Sequence, residues 1–208
     1  MKVAEKAVLY GYEALTDSET LTLITGVNPT MLTGLLEQTG NLRSLSLLSV
    51  SELQHQGLTK VQAGKLAATL AIARRFQQVA LEPGKLLNNV VQVFTFYHEK
   101  LRDQKREHFF VVLLDAKHRF IREELVSVGS LNFSIVHPRE VFKPAIRESA
   151  ESLIIVHNHP SGDATPSRED IQVTKRLVEV GKTVGIEVLD HIVIGNGSYL
   201  SFQEQRLM

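Results

Sequence analysis

SLIIVHNHPSGDATPSREDIQVTKRLVEVGKTVG, residues 152–185, is the stretch from which the architecture can be read. SLIIVHNHP is a short apolar run bounded by turn residues, the pattern of a buried strand. PSREDIQVTKRLVEVGKTVG reads as a capped amphipathic helix, with Ile171, Leu177, Val178 and Val184 on its apolar side. A strand that turns tightly into such a helix is a building block of layered α/β domains. Outward from it, HFFVVLLD (108–115) and FIREELVSV (120–128) read as strands joined by a turn at AKHR. EVLDHIVIG (187–195) and SYLSF (198–202) read as two more. HPREVFKPAIRES (137–149) predicts a helix with Pro138 in its first turn, and NNVVQVFTFYHEKLRD (88–103) a helix that opens the domain.

The first 81 residues carry a different pattern and read as helical throughout. Asp17 and Ser18 mark one helix start and Gly26 its stop. Asn28 and Pro29 open another helix that Gly40 ends. VQAGKLAATLAIARRFQQVAL is rich in strong helix formers, with Leu66, Leu70, Ile72 and Phe76 near the helical period. EPGK, residues 82–85, breaks the pattern. The expected class is therefore α/β: an all-α module over residues 1–82, then a mixed β-sheet flanked by helices over 86–208.

Composition narrows the function classes. The 208 residues contain no cysteine, which excludes a disulfide scaffold, a Cys-type zinc finger, an iron–sulfur centre and a thiol nucleophile. It also fits a cytoplasmic protein. Lys and Arg number 23 and Asp and Glu 23, so the chain is formally neutral and lacks the basic excess of a typical nucleic-acid binder. No apolar run approaches the roughly 18 residues that span a bilayer, and MKVAEKAVLYGYEALTD has no long apolar core, so neither a membrane partner nor a leader peptide is expected. Nothing in the sequence sets an oligomeric state.

The chemistry concentrates in residues 157–170. His157 and His159 lie two apart at a strand end, so both imidazoles share one face with their Cα atoms about 6.5–7 Å apart. Pro160, Gly162 and Pro166 turn the following loop, and Ser167 then precedes a helix with Asp170 three residues on. Two imidazoles and a carboxylate leave an open coordination position, as catalytic zinc sites do. Ser167 and Asp170 also read as a capping box, with Asp in place of the usual Glu or Gln. His191 is open to several readings: a fourth ligand, a substrate contact, or a buried histidine bonded to Asp190. A structural role, or one behind the ligands, is preferred because three protein ligands suffice. His137 and Arg139 sit at a helix start, where capping and function are both available readings.

H-x-H, seven residues, Ser, two residues, Asp is the JAMM (MPN+) metalloprotease signature, and His157, His159, Ser167 and Asp170 match it position for position. ALTDSETLTLITG, VHPREVFKPAI, HNHPSGDATPSRED and LDHIVIG extend the resemblance to the bacterial RadC family over nearly the whole chain. The resemblance implies a JAMM-type sheet domain holding one zinc ion per chain on His157, His159 and Asp170, with Ser167 as a donor to the oxyanion. It also implies a Glu just before an apolar strand as general base. Spacing alone leaves Glu107, Glu123, Glu124 and Glu140 available, and the resemblance selects Glu107, directly ahead of HFFVVLLD.

The expected reaction is hydrolysis of a peptide or isopeptide bond in a protein or peptide substrate. The rivals are a non-catalytic accessory protein of DNA repair and a metal-dependent nuclease. An iron facial triad fits the three ligand types but not the Ser-x-x-Asp spacing, and a zinc deaminase would need cysteine ligands. The helical half resembles the family's helix-hairpin-helix-like module at GLTKVQAGKL, residues 57–66, but Thr59 stands where a second glycine is expected. Residues 1–82 balance seven basic against seven acidic side chains, so weak or no direct DNA binding is expected.

Overall fold

The computed structural model describes residues 2–77, 81–129 and 136–208. The chain forms two compact units, Met1–Gln77 and Gln78–Met208. In the first, the described residues form six α-helices, α1 (Val3–Tyr10), α2 (Asp17–Thr25), α3 (Pro29–Thr39), α4 (Leu42–Ser46), α5 (Val50–His55) and α6 (Lys60–Gln77), with one 3-10 turn at Tyr12–Ala14. Their ends follow local chemistry. Thr16, rather than Asp17 or Ser18, caps α2 in a reciprocal box with Glu19, and Gly26 closes the helix in the left-handed region. Asn28 caps α3 with Pro29 in its first turn, and Gly40 ends it. The core gathers Leu21, Leu32, Leu35, Leu45, Leu53, Leu66 and Leu70. Ile72 and Phe76, placed by periodicity with Leu66 and Leu70, are instead exposed, Phe76 by 86%. At about 100° per residue they lie roughly 240° and 280° round the helix from Leu66, on a different face from Leu66 and Leu70, while Arg74 on the packed side still donates to the carbonyl of Ser46.

The second unit is one five-stranded sheet between helices. Its elements are α7 (Val90–Leu101), β1 (His108–Leu114), β2 (Phe120–Val128), α8 (Pro138–Arg147), β3 (Ser152–Asn158), α9 (Arg168–Val184), β4 (Glu187–Ile194) and β5 (Tyr199–Ser201). The strand order is β2-β1-β3-β4-β5. β1 is antiparallel to both β2 and β3, β3 runs parallel to β4, and β5 returns antiparallel to β4. A parallel pair requires a crossover, which α9 supplies. Gly84 to Leu87 hydrogen-bond to residues 118–120, so much of the EPGK stretch is tied to the β1–β2 turn.

The central strands are buried on both faces. Phe109, Val111, Leu113, Leu153, Ile155 and Val188 face one core with α8 and α9, whereas Phe110, Val112, Leu114, Ile154, Val156 and Ile192 face another with α7. Two-sided burial explains why β1 and β3 read as continuous apolar runs rather than alternating ones. On α9 the buried stripe is Asp170, Val173, Thr174, Leu177 and Gly181. Leu177 was expected there, but Val184 is 43% exposed, since the helix ends at Gly185, beyond the sheet surface it covers.

Two helical glycines should respond oppositely to alanine. A Cβ on Gly181 would stand 2.6 Å from the carbonyl of Ile186, whereas one on Gly64 meets nothing within 4 Å. Gly181→Ala should destabilise the protein by about 1–3 kcal/mol through overpacking, and Gly64→Ala should stabilise it by roughly 0.5–1 kcal/mol. Equilibrium urea unfolding followed by circular dichroism checks both. Shifts of the same sign would contradict the packing described.

Candidate metal centre and active site

The site is assembled where β3 leaves the sheet and α9 begins. His157 is the penultimate residue of β3 and fully buried. His159 follows the strand, and its backbone N–H continues the parallel ladder by donating to the carbonyl of Ile194 at 2.9 Å. The loop then folds back. Gly162, at φ +86°, accepts from the N–H of Asn196 and lies so close that a Cβ on Gly195 would stand 2.5 Å from its carbonyl oxygen. Only glycine permits that approach.

Ser167 then caps α9. Its Oγ accepts from the N–H of Asp170 at 3.1 Å, and Asp170 Oδ2 accepts from the N–H of Ser167 at 2.7 Å and from its hydroxyl at 2.6 Å. The capping box is therefore real, and it aims the carboxylate. Asp170 Oδ1 lies 3.4 Å from Nε2 of His157, and Oδ2 lies 3.4 Å from Nε2 of His159. The two Nε2 atoms are 3.0 Å apart. Ligand atoms of His157, His159 and Asp170 all fall within 4.8 Å of one another. One residue thus serves as helix cap and candidate ligand, because its two carboxylate oxygens point different ways.

The electrostatics suit a cation. Burial would raise the pKa of Asp170, but the hydrogen bond with His159, the His157 imidazole and the Ser167 hydroxyl and amide outweigh it, holding the acid well below the usual carboxylate range. Burial lowers His157 to about 4, only partly offset by the Asp170 charge, so the ring is neutral. His159 moves upward, first because of Asp170, with the Asp163 carbonyl and the charge of Glu107 adding to it against burial. His159 Nδ1 lies 2.7 Å from the carbonyl oxygen of Asp163, which can only accept, so Nδ1 carries the hydrogen and Nε2 faces the cluster. An anionic carboxylate and two inward Nε2 atoms form a donor set that fits a divalent ion, and imidazole with carboxylate suits zinc.

The remaining predicted residues separate clearly. Glu107, Ser167 and Asp170 line one cavity of about 530 Å³ with His159, Pro160, Ser161 and Glu169. The rival glutamates are engaged elsewhere: Glu123 by Tyr97 and Lys100, Glu124 by Arg122 and Glu140 by Arg139. His137 caps α8, its Nδ1 accepting from the N–H of Arg139, and neither residue lines the cavity. The ring of His191 does not bond Asp190; its backbone N–H does. Its Nε2 instead lies 2.7 Å from Nδ1 of His157, and its Nδ1 lies 2.5 Å from Oγ1 of Thr174.

Two residues in the assembly escaped the sequence reading. Asn158 stands between the histidines on the opposite face of β3. Its Oδ1 accepts from the N–H of His108 at 2.8 Å, and its Nδ2 donates to the carbonyl of Arg106 at 3.1 Å. These bonds bracket Glu107 and tie its backbone to the strand carrying the histidines. Thr174, one turn after Asp170, donates its hydroxyl to the Asp170 carbonyl at 2.6 Å. The available signal in both cases was a polar side chain where burial is otherwise apolar: Asn158 at the end of a two-sided strand, Thr174 within the buried stripe of α9.

Residues 87–207 match the RadC-like JAB domain family. The chain is 45% identical to a UPF0758 protein of Methanosarcina mazei over 207 residues, covering 97% of this chain and 90% of the relative. It is 46% identical to one of Trichlorobacter lovleyi, covering 98% and 93%. It is 45% identical to one of Geobacter sulfurreducens, again covering 98% and 93%. With the His-x-His strand end, the Ser-capped aspartate and the mixed sheet that joins them, the chain belongs to the RadC-like JAB-domain family.

Proposed function

We propose that the C-terminal unit is a zinc-dependent hydrolase of peptide or isopeptide bonds. The observation that carries this reading is the opening of Glu107, His159, Ser167 and Asp170 into one cavity, with His157 directly behind it. His157, His159 and Asp170 would hold the ion, which when bound supplies a Lewis acid for the scissile carbonyl and lowers the pKa of water. Glu107 then acts as the base. Its carboxylate takes a proton from the attacking water and returns it to the leaving amine nitrogen, without which an amide does not depart. Asn158 keeps Glu107 in register with the ligand strand throughout. Ser167 lines the cavity with its hydroxyl turned to Asp170, and rotation of that hydroxyl presents a donor to the developing oxyanion.

We also infer that the helical unit is a poor ligand for DNA. The turn between α5 and α6 keeps Gly57 at φ +95°. However, the N–H of Thr59 donates to Gln62 Oε1 at 3.1 Å, and Thr59 Oγ1 accepts from the N–H of Gln62 at 3.3 Å. The amide that could approach a phosphate is therefore already engaged, and the neutral charge balance adds no attraction. Duplex binding by the full chain, followed by fluorescence anisotropy, should be weak and vanish at moderate salt. Tight binding near physiological salt would overturn this.

Purified protein should carry about one zinc per chain by elemental analysis, and His157→Ala or Asp170→Ala should strip it. Zinc uptake should also release protons in a defined way. His157 is already neutral above about 4 and Asp170 already ionised, so only His159 has a proton to lose. From pH 5 up to the raised His159 value, affinity should climb about tenfold per pH unit, then level off. Calorimetry in buffers of different ionisation enthalpy measures this directly. Release of two protons at pH 6, or none at pH 5, would contradict the assignment.

Assays on linear peptides and on lysine-linked isopeptides test the chemistry. Glu107→Gln should keep its zinc and lose roughly 10²–10⁴-fold in turnover. Ser167→Ala should also keep its zinc, lose roughly 10²–10³-fold, and lose about 1 kcal/mol of stability with its cap. Undiminished turnover in Glu107→Gln would remove the base from that position.

A further inference from the structure

We propose that His191 and Thr174 are positioning residues, which hold His157 in the one tautomer and ring orientation able to bind a metal. This rests on the reading of His157, His159 and Asp170 as a metal site. Each step follows from which atoms can donate. The carbonyl oxygen of Asp170 only accepts, so at 2.6 Å the hydrogen of the Thr174 hydroxyl is directed at it. That leaves Oγ1 only lone pairs for Nδ1 of His191 at 2.5 Å, so Nδ1 carries a hydrogen. A neutral imidazole protonated at Nδ1 is bare at Nε2. That bare nitrogen lies 2.7 Å from Nδ1 of His157, which must therefore donate. His157 is left with a bare Nε2, the atom facing His159 at 3.0 Å and Asp170 at 3.4 Å.

The chain of bonds is a closed circuit. It starts at His157 on β3, crosses to His191 on β4, passes to Thr174 on α9 and ends on the main chain of Asp170. The ligand from the strand and the ligand from the helix are thus tied together through a third element. His157, His191 and Thr174 are all fully buried, so water cannot replace a lost partner. Aromatic rings confine the relay. Phe202 stacks on His191 with centroids 4.7 Å apart, and Phe109 meets it edge-on at 5.7 Å. A flipped His191 would point carbon at both Thr174 and His157 and lose both bonds. The partner behind His157 is moreover a neutral ring rather than the more usual carboxylate or carbonyl. Asp170 remains the only anionic member of the ligand set, which leaves more of the ion's positive charge for a substrate carbonyl.

The test compares paired variants of the full chain. Thr174→Ser keeps the hydroxyl and Thr174→Val removes it at nearly constant shape. His191→Gln keeps an acceptor and a donor, whereas His191→Leu has neither. Zinc affinity is measured by competition with a chromophoric chelator, and tautomers by nitrogen-15 NMR of histidine-labelled, metal-free protein. Wild-type His157 should carry its hydrogen on Nδ1. Thr174→Val and His191→Leu should weaken zinc binding roughly 10–100-fold and mix the His157 tautomers, while Thr174→Ser and His191→Gln stay within about threefold of wild type. Wild-type affinity in Thr174→Val with an unaltered His157 tautomer would overturn the proposal. So would an Nε2–H tautomer of His157 in the wild type, a result that needs no variant to fold. Wild-type protein that binds no zinc yet shows the Nδ1–H tautomer would overturn the metal reading and leave the circuit standing.

Discussion

A buried carboxylate at the start of a helix is the constraint on which the C-terminal unit turns. Asp170 is 1% exposed, and an ionised acid so placed is costly unless every lone pair has a partner. The Ser167 amide and hydroxyl supply two, the N-terminus of α9 favours its charge, and the two imidazoles of β3 face what remains. The geometry of the β3–α9 crossover follows. The loop must bring the helix start against the strand end, which explains the close glycine contact between Gly162 and Gly195. The same need leaves an anionic pocket rimmed by nitrogen lone pairs. A divalent ion satisfies that arrangement better than a proton does, because it can engage all three groups at once.

The sheet order decides where Glu107 lies. β1 lies between β2 and β3, and Phe109 pairs with His157. The residue just ahead of β1 is therefore delivered to the ligand strand by backbone pairing alone. Asn158 reinforces this through side-chain bonds on both sides of Glu107, and the Glu107 carbonyl accepts from the N–H of Gly129. Glu107 thus sits directly ahead of β1, tied by backbone and side-chain bonds to the end of the neighbouring strand that carries His157, a placement that suits a reaction of the proposed kind, in which small displacements are expensive.

The helical unit follows a different logic. Helices α2 to α5 are short and individually marginal, and their starts are defined by caps: Thr16 with Glu19, Asn28, Asn41, and Ser49 with Glu52. Thr59 belongs to the same set. Where a hairpin that binds phosphate would expose an amide, this chain closes a cap with Gln62.

Much of this was legible in the amino-acid order. Apolar runs marked β1 and β3, Asn28–Pro29 and Gly40 bounded α3, and the H-x-H, Ser and Asp spacing marked the candidate ligands, because these features rest on contacts within a few residues of one another. Long-range pairing decided the rest. Four glutamates were equal by spacing, and it is the antiparallel pairing of β1 with β3 that brings Glu107 to the cavity lined by His159, Ser167 and Asp170. His191 is 34 residues from His157 and 17 from Thr174, and only the parallel β3–β4 ladder and the packing of α9 bring them within hydrogen-bond reach. A side chain's partner across a sheet is set by strand order and register, which no local pattern encodes. The sequence by itself therefore determined which groups are present for the chemistry, and the tertiary structure alone decided which of them meet.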